Sequence, residues 1–262
     1  MDLPYKQKVD IFNIAAVSYL NTKPLLYGLL NSSIAERLNL MLDIPSGCAS
    51  KLIQGQVDLA LIPTAVIPQI PEAVLFSNYC IGAQNKVKTV GIFSYLPLDQ
   101  LDTLILDFHS RTSVLLVQIL LKEYWQVNLQ FIAGKPGFES GITEKTGGLV
   151  IGDRTMGLHE KYPYFYDLGE AWKHHTGLPF VFAAWVSNHF VEESFEESFN
   201  QAMKTGLSSI PELLMLLPDS QVDFDLKSYF SNNIYYHLDD EMRAGMSLFF
   251  EKLNQHMNHL FK

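Results

Sequence analysis

Short apolar runs, separated by polar turns that carry glycine or proline, organise this chain. Residues 11–17 (IFNIAAV) predict a buried strand. The polar turn Ser18-Tyr19-Leu20-Asn21-Thr22 then leads into a helix whose start is marked by Pro24, with Asn21 or Thr22 placed to cap it. Residues 38–44 predict a second strand. Ser46 is expected to cap the next helix, which sets Ala49, Leu52 and Ile53 on one face and stops at Gly55. Asp58 to Ile62 predicts a third strand, ended by Pro63. Such a β-α-β-α-β order marks a parallel sheet with helices on its faces.

The pattern then begins again. Residues 87–94 alternate as a strand and reach a turn at Pro97, and Leu104 to Asp107 predicts another strand. Ser110 to Ser113 start a strongly apolar helix over 114–125, and residues 128–132 and 148–151 supply further strands. After the bend Gly177-Leu178-Pro179 comes an apolar strand, 180–186. The C-terminal part is helical, ending in 239–259, where Met242, Met246, Phe249 and Leu253 keep the spacing of a core-facing helix. The expected architecture is a two-lobed α/β fold with one unit inserted in another. Residues 1–94 and 181–262 form the first lobe and residues 95–180 the second, with crossovers near 90–96 and 178–185. In such folds a ligand sits outside the carboxyl ends of the strands, where helix N-termini converge.

Composition narrows the function classes. With 48% hydrophobic residues, a chain of 262 can bury one large core or two modest ones, and no segment reads as low-complexity. A net charge of −9 argues against a nucleic-acid partner, so an anionic ligand has to be held by local features. The start of the chain is polar and shows no apolar signal segment. The run Val114 to Leu121 is too short to span a bilayer, so stable membrane insertion is not expected. Cys48 and Cys80 are too few for a disulfide framework, which fits a cytoplasmic location.

Candidate chemistry gathers at strand ends: Ser18 to Thr22, Ser46-Gly47, Pro63-Thr64, Ser110 to Ser113 and Gly152-Asp153-Arg154. Hydroxyls and amides dominate, with Arg111 and Arg154 as cations. Backbone N–H groups at helix starts bind carboxylates, each dipole contact contributing about 0.3–1 kcal/mol. Plain readings stand beside this one. Ser, Thr and Asn at helix starts are commonly caps, and Asp153-Arg154 can be a structural ion pair. Cys48 has no histidine near it in sequence and reads as a small residue. His174-His175 and the pair His256 and His259 lack a third ligand and read as solvated surface. There is no Gly-rich phosphate loop, no G-x-S-x-G and no CxxC. From the residues alone the chain is a two-lobed protein for a small anion, either a receptor or an enzyme.

Several segments go further. Val17-Ser18-Tyr19-Leu20-Asn21-Thr22-Lys23-Pro24-Leu25, Pro45-Ser46 followed by Leu52 and Gly55, and DLALIPT at 58–64 occur in one order with Ser110-Arg111-Thr112-Ser113, GLVIGDR at 148–154 and YDLGEAWKHHTGLPFVFAAW at 166–185. Over about two-thirds of the chain this set resembles the chorismate dehydratases of the futalosine route to menaquinone. The resemblance implies a type II periplasmic-binding-protein-like fold used as an enzyme. It also implies conversion of chorismate, a small dianionic metabolite, to 3-[(1-carboxyvinyl)oxy]benzoate and water. The SYLN opening favours this activity over that of the related 1,4-dihydroxy-6-naphthoate synthase. A plain solute-binding protein is the alternative from another class.

By that resemblance Asn21 and Thr89 carry the chemistry. Thr89 stands where many family members have serine, which keeps a hydroxyl but restricts its rotamer. Ser18, Tyr19, Ser46, Thr64, Ser110, Arg111, Thr112, Ser113, Gly152, Asp153 and Arg154 are the expected substrate-binding set. Neither a metal nor an organic cofactor is called for. The substrate's own enolpyruvyl carboxylate is the expected base, with Asp153 as its rival.

Overall fold

The structure is a computed structural model and describes residues 11–217 and 224–256. The chain runs β1 (Phe12–Val17), α1 (Lys23–Leu30), β2 (Leu38–Asp43), α2 (Pro45–Ile53), β3 (Leu59–Pro63), β4 (Val74–Ala83), β5 (Val90–Ser94), β6 (Thr103–Leu106), α3 (Arg111–Leu120), β7 (Gln130–Ala133), β8 (Thr146–Ile151), α4 (Leu158–Lys161), β9 (Tyr164–Asp167), α5 (Leu168–Thr176), β10 (Phe180–Ser187), α6 (Glu193–Ser208), α7 (Ile210–Leu216), α8 (Leu226–Ser228), β11 (Tyr235–His237) and α9 (Asp240–His256).

These strands form two sheets, a six-stranded one in the order β11-β4-β10-β3-β1-β2 and a five-stranded one in the order β7-β6-β8-β5-β9. In the first, β1 pairs parallel with β2 and β3, while β10 runs antiparallel between β3 and β4. In the second, β6 pairs parallel with β7 and β8, and β5 antiparallel with β8 and β9. The parallel β-α-β-α-β start expected from sequence is present. Every residue of β3 (LALIP) and β10 (FVFAAWVS) is buried, as strands covered on both faces require. In α9, Met242, Met246, Phe249 and Leu253 are buried, as their spacing anticipated; its expected continuation to residue 259 lies outside the described residues.

Two expectations need correction. Residues 90–94, expected in the first lobe, form β5 and pair with β8 and β9 inside the second sheet. The chain therefore crosses between Ala83 and Val90, ahead of the segment 90–96, and returns between Thr176 and Phe180. Asp167 stitches the two crossings together. Its carboxylate accepts Val87 N at 3.2 Å and Lys88 N at 2.7 Å on the outgoing segment, and Gly169 N at 2.9 Å and Glu170 N at 3.1 Å where α5 begins. Second, α2 is not capped by Ser46: Ile44 is its N-cap residue, without a side-chain bond, and Pro45 opens the helix.

Close helix packing completes the first lobe. A Cβ at Gly28 of α1 would lie 2.0 Å from Ala202 O, and one at Gly206 of α6 would lie 2.0 Å from Pro24 O. Only hydrogen fits on either side of that contact. Most buried apolar residues join in one core that runs from the first sheet to α3 and β5. Phe93, Ile105, Phe138, Ile142, Val150 and Tyr162 form a second, smaller cluster. Among the described residues no helix is long and apolar enough to cross a membrane.

Candidate active site

The registers bring the site together. β1 ends opposite β2 with Val17 beside Asp43, and Ser18 N donates to Asp43 O at 3.0 Å, so the loops after both strands leave side by side. Antiparallel β10 sets Ala183 opposite Pro63 at the end of β3. From the second sheet, the ends of β6 and β8 deliver residues 107–113 and 152–155 to the same place. Between these ends is a cavity with an empty volume of about 440 Å³. Tyr19, Asn21, Thr22, Ser110, Ser113 and Gly152 line it with an apolar wall of Ile81, Val90, Ile151 and Phe182. A larger groove, about 1110 Å³ and more open, lies along α3 and β7, away from the convergent strand ends.

Tyr19 bridges the two sheets. Its ring packs on Gly152, whose φ of +65° and missing Cβ permit the approach; a Cβ there would lie 2.8 Å from the ring. Burial, reinforced by the Asp107 charge, pushes the Tyr19 phenol well above its ordinary pKa. Burial and the nearby Arg154 charge push His109 below its own. The two side chains are hydrogen-bonded, with Tyr19 Oη 2.5 Å from His109 Nδ1.

Asp107 anchors that cluster. Its buried carboxylate accepts from His109 N at 2.7 Å, Ile151 N at 3.2 Å and the Arg154 guanidinium. Arg154 also donates to Glu139 at 2.7 Å, leaving its buried Nε without a partner among the described residues. The pair imagined between Asp153 and Arg154 is not formed. Asp153 instead accepts Leu20 N at 3.0 and 3.1 Å, joining the β8 end to the turn that carries Asn21, and burial raises its pKa.

Asn21 does not cap α1, whose N-cap residue is Thr22 without a side-chain bond. It sits in a 3₁₀ turn with its side chain at the cavity. Its Oδ1 accepts from Thr22 Oγ1 at 3.2 Å, and its carbonyl accepts from Tyr236 Oη at 2.9 Å. Ser110 does cap α3, accepting Ser113 N at 3.4 Å, and the two hydroxyls are 3.3 Å apart. Thr112 Oγ1 accepts Ala65 N at 3.0 Å and Ser46 N donates to His109 O at 3.3 Å, two more bonds between the halves. Thr64 Oγ1 is buried without a partner among the described residues. Ser18 is exposed, and Arg111 is exposed in a neighbouring open groove with Gln69 and Phe108. Thr89 is fully buried behind the wall, its Oγ1 2.8 Å from Tyr229 Oη.

Sequence reasoning missed His109, Asp107, Tyr229 and Phe182. His109 was open to discovery, because it follows a foreseen strand end. Tyr229 was not, because a turn far along the chain brings it in. Among the described residues, none of the cavity's lining side chains carries a charge. Any anion there is held by hydroxyls, amides and backbone N–H groups.

A family model described as menaquinone biosynthesis matches residues 12–255. A Thermus thermophilus protein named chorismate dehydratase is 25% identical over 231 residues, which are 80% of this chain and 84% of that one. Solved structures are similar in fold. A protein of Archaeoglobus fulgidus has a TM-score of 0.67 at 10% identity, covering 95% of this chain and 98% of that one. An ABC transporter protein of Parabacteroides distasonis has 0.66 at 16%, covering 96% and 94%. A Candida albicans gene product with the generic periplasmic binding protein fold has 0.57 at 12%, covering 93% and 94%. These likenesses agree with the two-sheet architecture and its cleft. The match over 12–255 takes in both sheets and every strand end at the cavity, and the chain belongs to the menaquinone biosynthesis family.

Proposed function

We propose that the protein is a chorismate dehydratase, converting chorismate to 3-[(1-carboxyvinyl)oxy]benzoate and water. The observation that carries this reading is the meeting of Tyr19, Asn21, Ser110, Ser113 and Gly152, from motifs far apart in sequence, around one cavity. The apolar wall with Phe182 suits a six-membered ring, and the hydroxyl and amide groups suit its two carboxylates. The name of the Thermus relative supports the reading. We place the protein in the cytosol, in keeping with buried, unpaired Cys48 and Cys80.

In the reaction the C3–H bond breaks and its electron pair becomes the C3–C4 π bond of the new aromatic ring. Hydroxide leaves C4 with the C–O pair and takes up a proton as water. Aromatisation supplies driving force, so the protein has to orient the substrate and manage two protons. The substrate's enolpyruvyl carboxylate takes the C3 proton, and the Asn21 amide orients that group and stabilises developing charge, with the Thr89 hydroxyl in the same hydrogen-bonded set. Asp153 is the less suited candidate for the base, because its carboxylate is turned onto Leu20 N. With Arg154 engaged by Asp107 and Glu139, the carboxylates fall to Ser110, Ser113 and the helix-start N–H groups.

Incubating purified protein with chorismate and following the mixture by mass tests this. The expected result is catalytic loss of one water, with the product matching authentic 3-[(1-carboxyvinyl)oxy]benzoate. Chorismate that binds and is recovered unchanged would instead mark a receptor, and chorismate that does not bind would overturn the reading altogether.

A further inference from the structure

A regular strand turns consecutive side chains to opposite faces, so a cavity on one face takes alternate residues. β10 departs from this at the site. Phe182 and Ala183, adjacent in sequence, both line the cavity. Each keeps 8% of its surface exposed, whereas Phe180, Val181, Ala184, Trp185 and Val186 keep none. The cause lies in the pairing. Against β4, Val181 stands opposite Gly82 and Ala183 opposite Ile81, so β10 advances two residues for one step of its partner, and Phe182 is the extra one. On the other side, pairing with β3 ends where Ala183 meets Pro63, one residue short of Phe182. The bulge thus releases Phe182 from both neighbouring strands at the point where the cavity opens.

The ring has no room to retreat. It meets Phe180 at a centroid distance of 4.8 Å, edge to face. Phe180 is fully buried and is itself held by Trp172 at 5.2 Å and Phe249 at 5.0 Å. Side chains packed this closely yield little to an oversized guest. The rest of the apolar wall, Ile81, Val90 and Ile151, is aliphatic. We propose that Phe182 is a specificity-determining residue of the cavity. Its buttressed ring accepts an anion built on a single six-membered ring and excludes one that carries a fused second ring. The consequence for turnover rests on the chorismate dehydratase reading.

Two probes share one carboxylate spacing and differ by a fused ring: benzene-1,3-dicarboxylate and naphthalene-1,3-dicarboxylate. In calorimetry the wild type should bind the first at least about tenfold more tightly than the second. Phe182→Ala should move the ratio of the two affinities towards the bicyclic probe by roughly 10–200-fold, the discrimination that a small change of volume in a hydrophobic pocket achieves. Phe182→Leu should move it the same way by less. The ratio is the readout because a loss of packing alone weakens both probes alike. For chorismate, kcat/KM in Phe182→Ala should fall at least about tenfold. If Phe182→Ala does not fold, Phe182→Leu decides by the direction of its shift. An unchanged ratio in the folded variants, or a wild type that binds both probes alike or neither, would overturn the proposal. A wild type that discriminates between the probes yet returns chorismate unchanged would sink the catalytic reading alone, leaving the ratio in the variants to judge Phe182.

Discussion

Asn21 stands one residue before the N-cap of α1 and makes no capping bond, so its side chain is free of the role that polar residues near helix starts usually fill. Removing it should therefore leave stability within about 1 kcal/mol of wild type while turnover falls roughly 10²–10³-fold. Steady-state rates measured beside thermal melts check this; an early-melting variant whose folded fraction works normally would contradict it. Arg154 is the opposite case. Both its terminal nitrogens are engaged, and its partner Asp107 is fully buried. Arg154→Met leaves that carboxylate without its counter-charge and should destabilise the fold by ~3 kcal/mol near neutral pH. Burial already raises the Asp107 pKa, and losing Arg154 raises it further. A raised folded-state pKa means that the native state holds its proton more tightly than the unfolded chain, so stability falls as pH rises between the two values. The penalty in Arg154→Met should accordingly shrink as pH is lowered through that window. Melting curves of both proteins from pH 8 downward would show it, and a pH-independent difference would refute it.

Secondary-structure elements meet at the cleft with little slack. The 3₁₀ turn at Leu20–Thr22 is tied to the end of β8 by Asp153, and Tyr19 lies on Gly152. Gly152→Ala meets two obstacles at once, a positive φ and a Cβ 2.8 Å from the Tyr19 ring. The backbone term alone costs about 1–2 kcal/mol. Displacing Tyr19 should also loosen the contact between the halves, so KM for chorismate should rise together with a lower denaturant midpoint. A variant with wild-type KM would show that the Tyr19–Gly152 contact does not shape the site. Among the elements that sequence patterning did not delimit is β4, of which only the strand context of Cys80 was legible. Its ten residues, VLFSNYCIGA, put Ser77 and Asn78 in mid-strand, and its pairing with β10 is broken by register shifts. Both features blur the alternation that announces a strand.

At the scale of the molecule, one cluster ties the C-terminal helix to the second lobe. Glu123, just after α3, receives His175 of α5 at 2.8 Å, Lys252 of α9 at 2.5 Å and His256 of α9. Lys122 Nζ stands 3.2 Å from the other ring nitrogen of His256, Nδ1. Two histidines that read as surface groups in the sequence thus converge on one carboxylate. Burial works to raise the Glu123 pKa, but the hydrogen bonds from Lys252, His175 and His256 prevail and bring it down to about 2. A depressed carboxylate stabilises the fold above its unfolded pKa, near 4.3, and loses that contribution as pH falls through its folded value. Glu123→Gln should thus melt earlier than wild type at pH 7, and the gap should close between about pH 4.3 and pH 2. A gap that persists at pH 2 would assign the effect to packing.

What the sequence determined by itself is what short-range pattern can carry. The parallel first half, the buried β3 and β10, the capped start of α3 and the core face of α9 each follow from a few neighbouring residues whose burial permits one local geometry. The polar strand ends were legible for the same reason, since a strand's end predicts where its next residues emerge. Tertiary structure decided everything set by partners far along the chain. It put β5 in the second sheet through pairing with β8 and β9, turned Arg154 onto Asp107 and Glu139 and away from the cavity, and buried Thr89 behind the wall against Tyr229. Thr89 and Tyr229 lie 140 residues apart, and Asp107 and Arg154 are separated by 47. Hydrogen bonds and ion pairs act over a few ångströms in space and leave no period in the sequence, so only the folded chain reveals which polar groups face the cavity and which face one another.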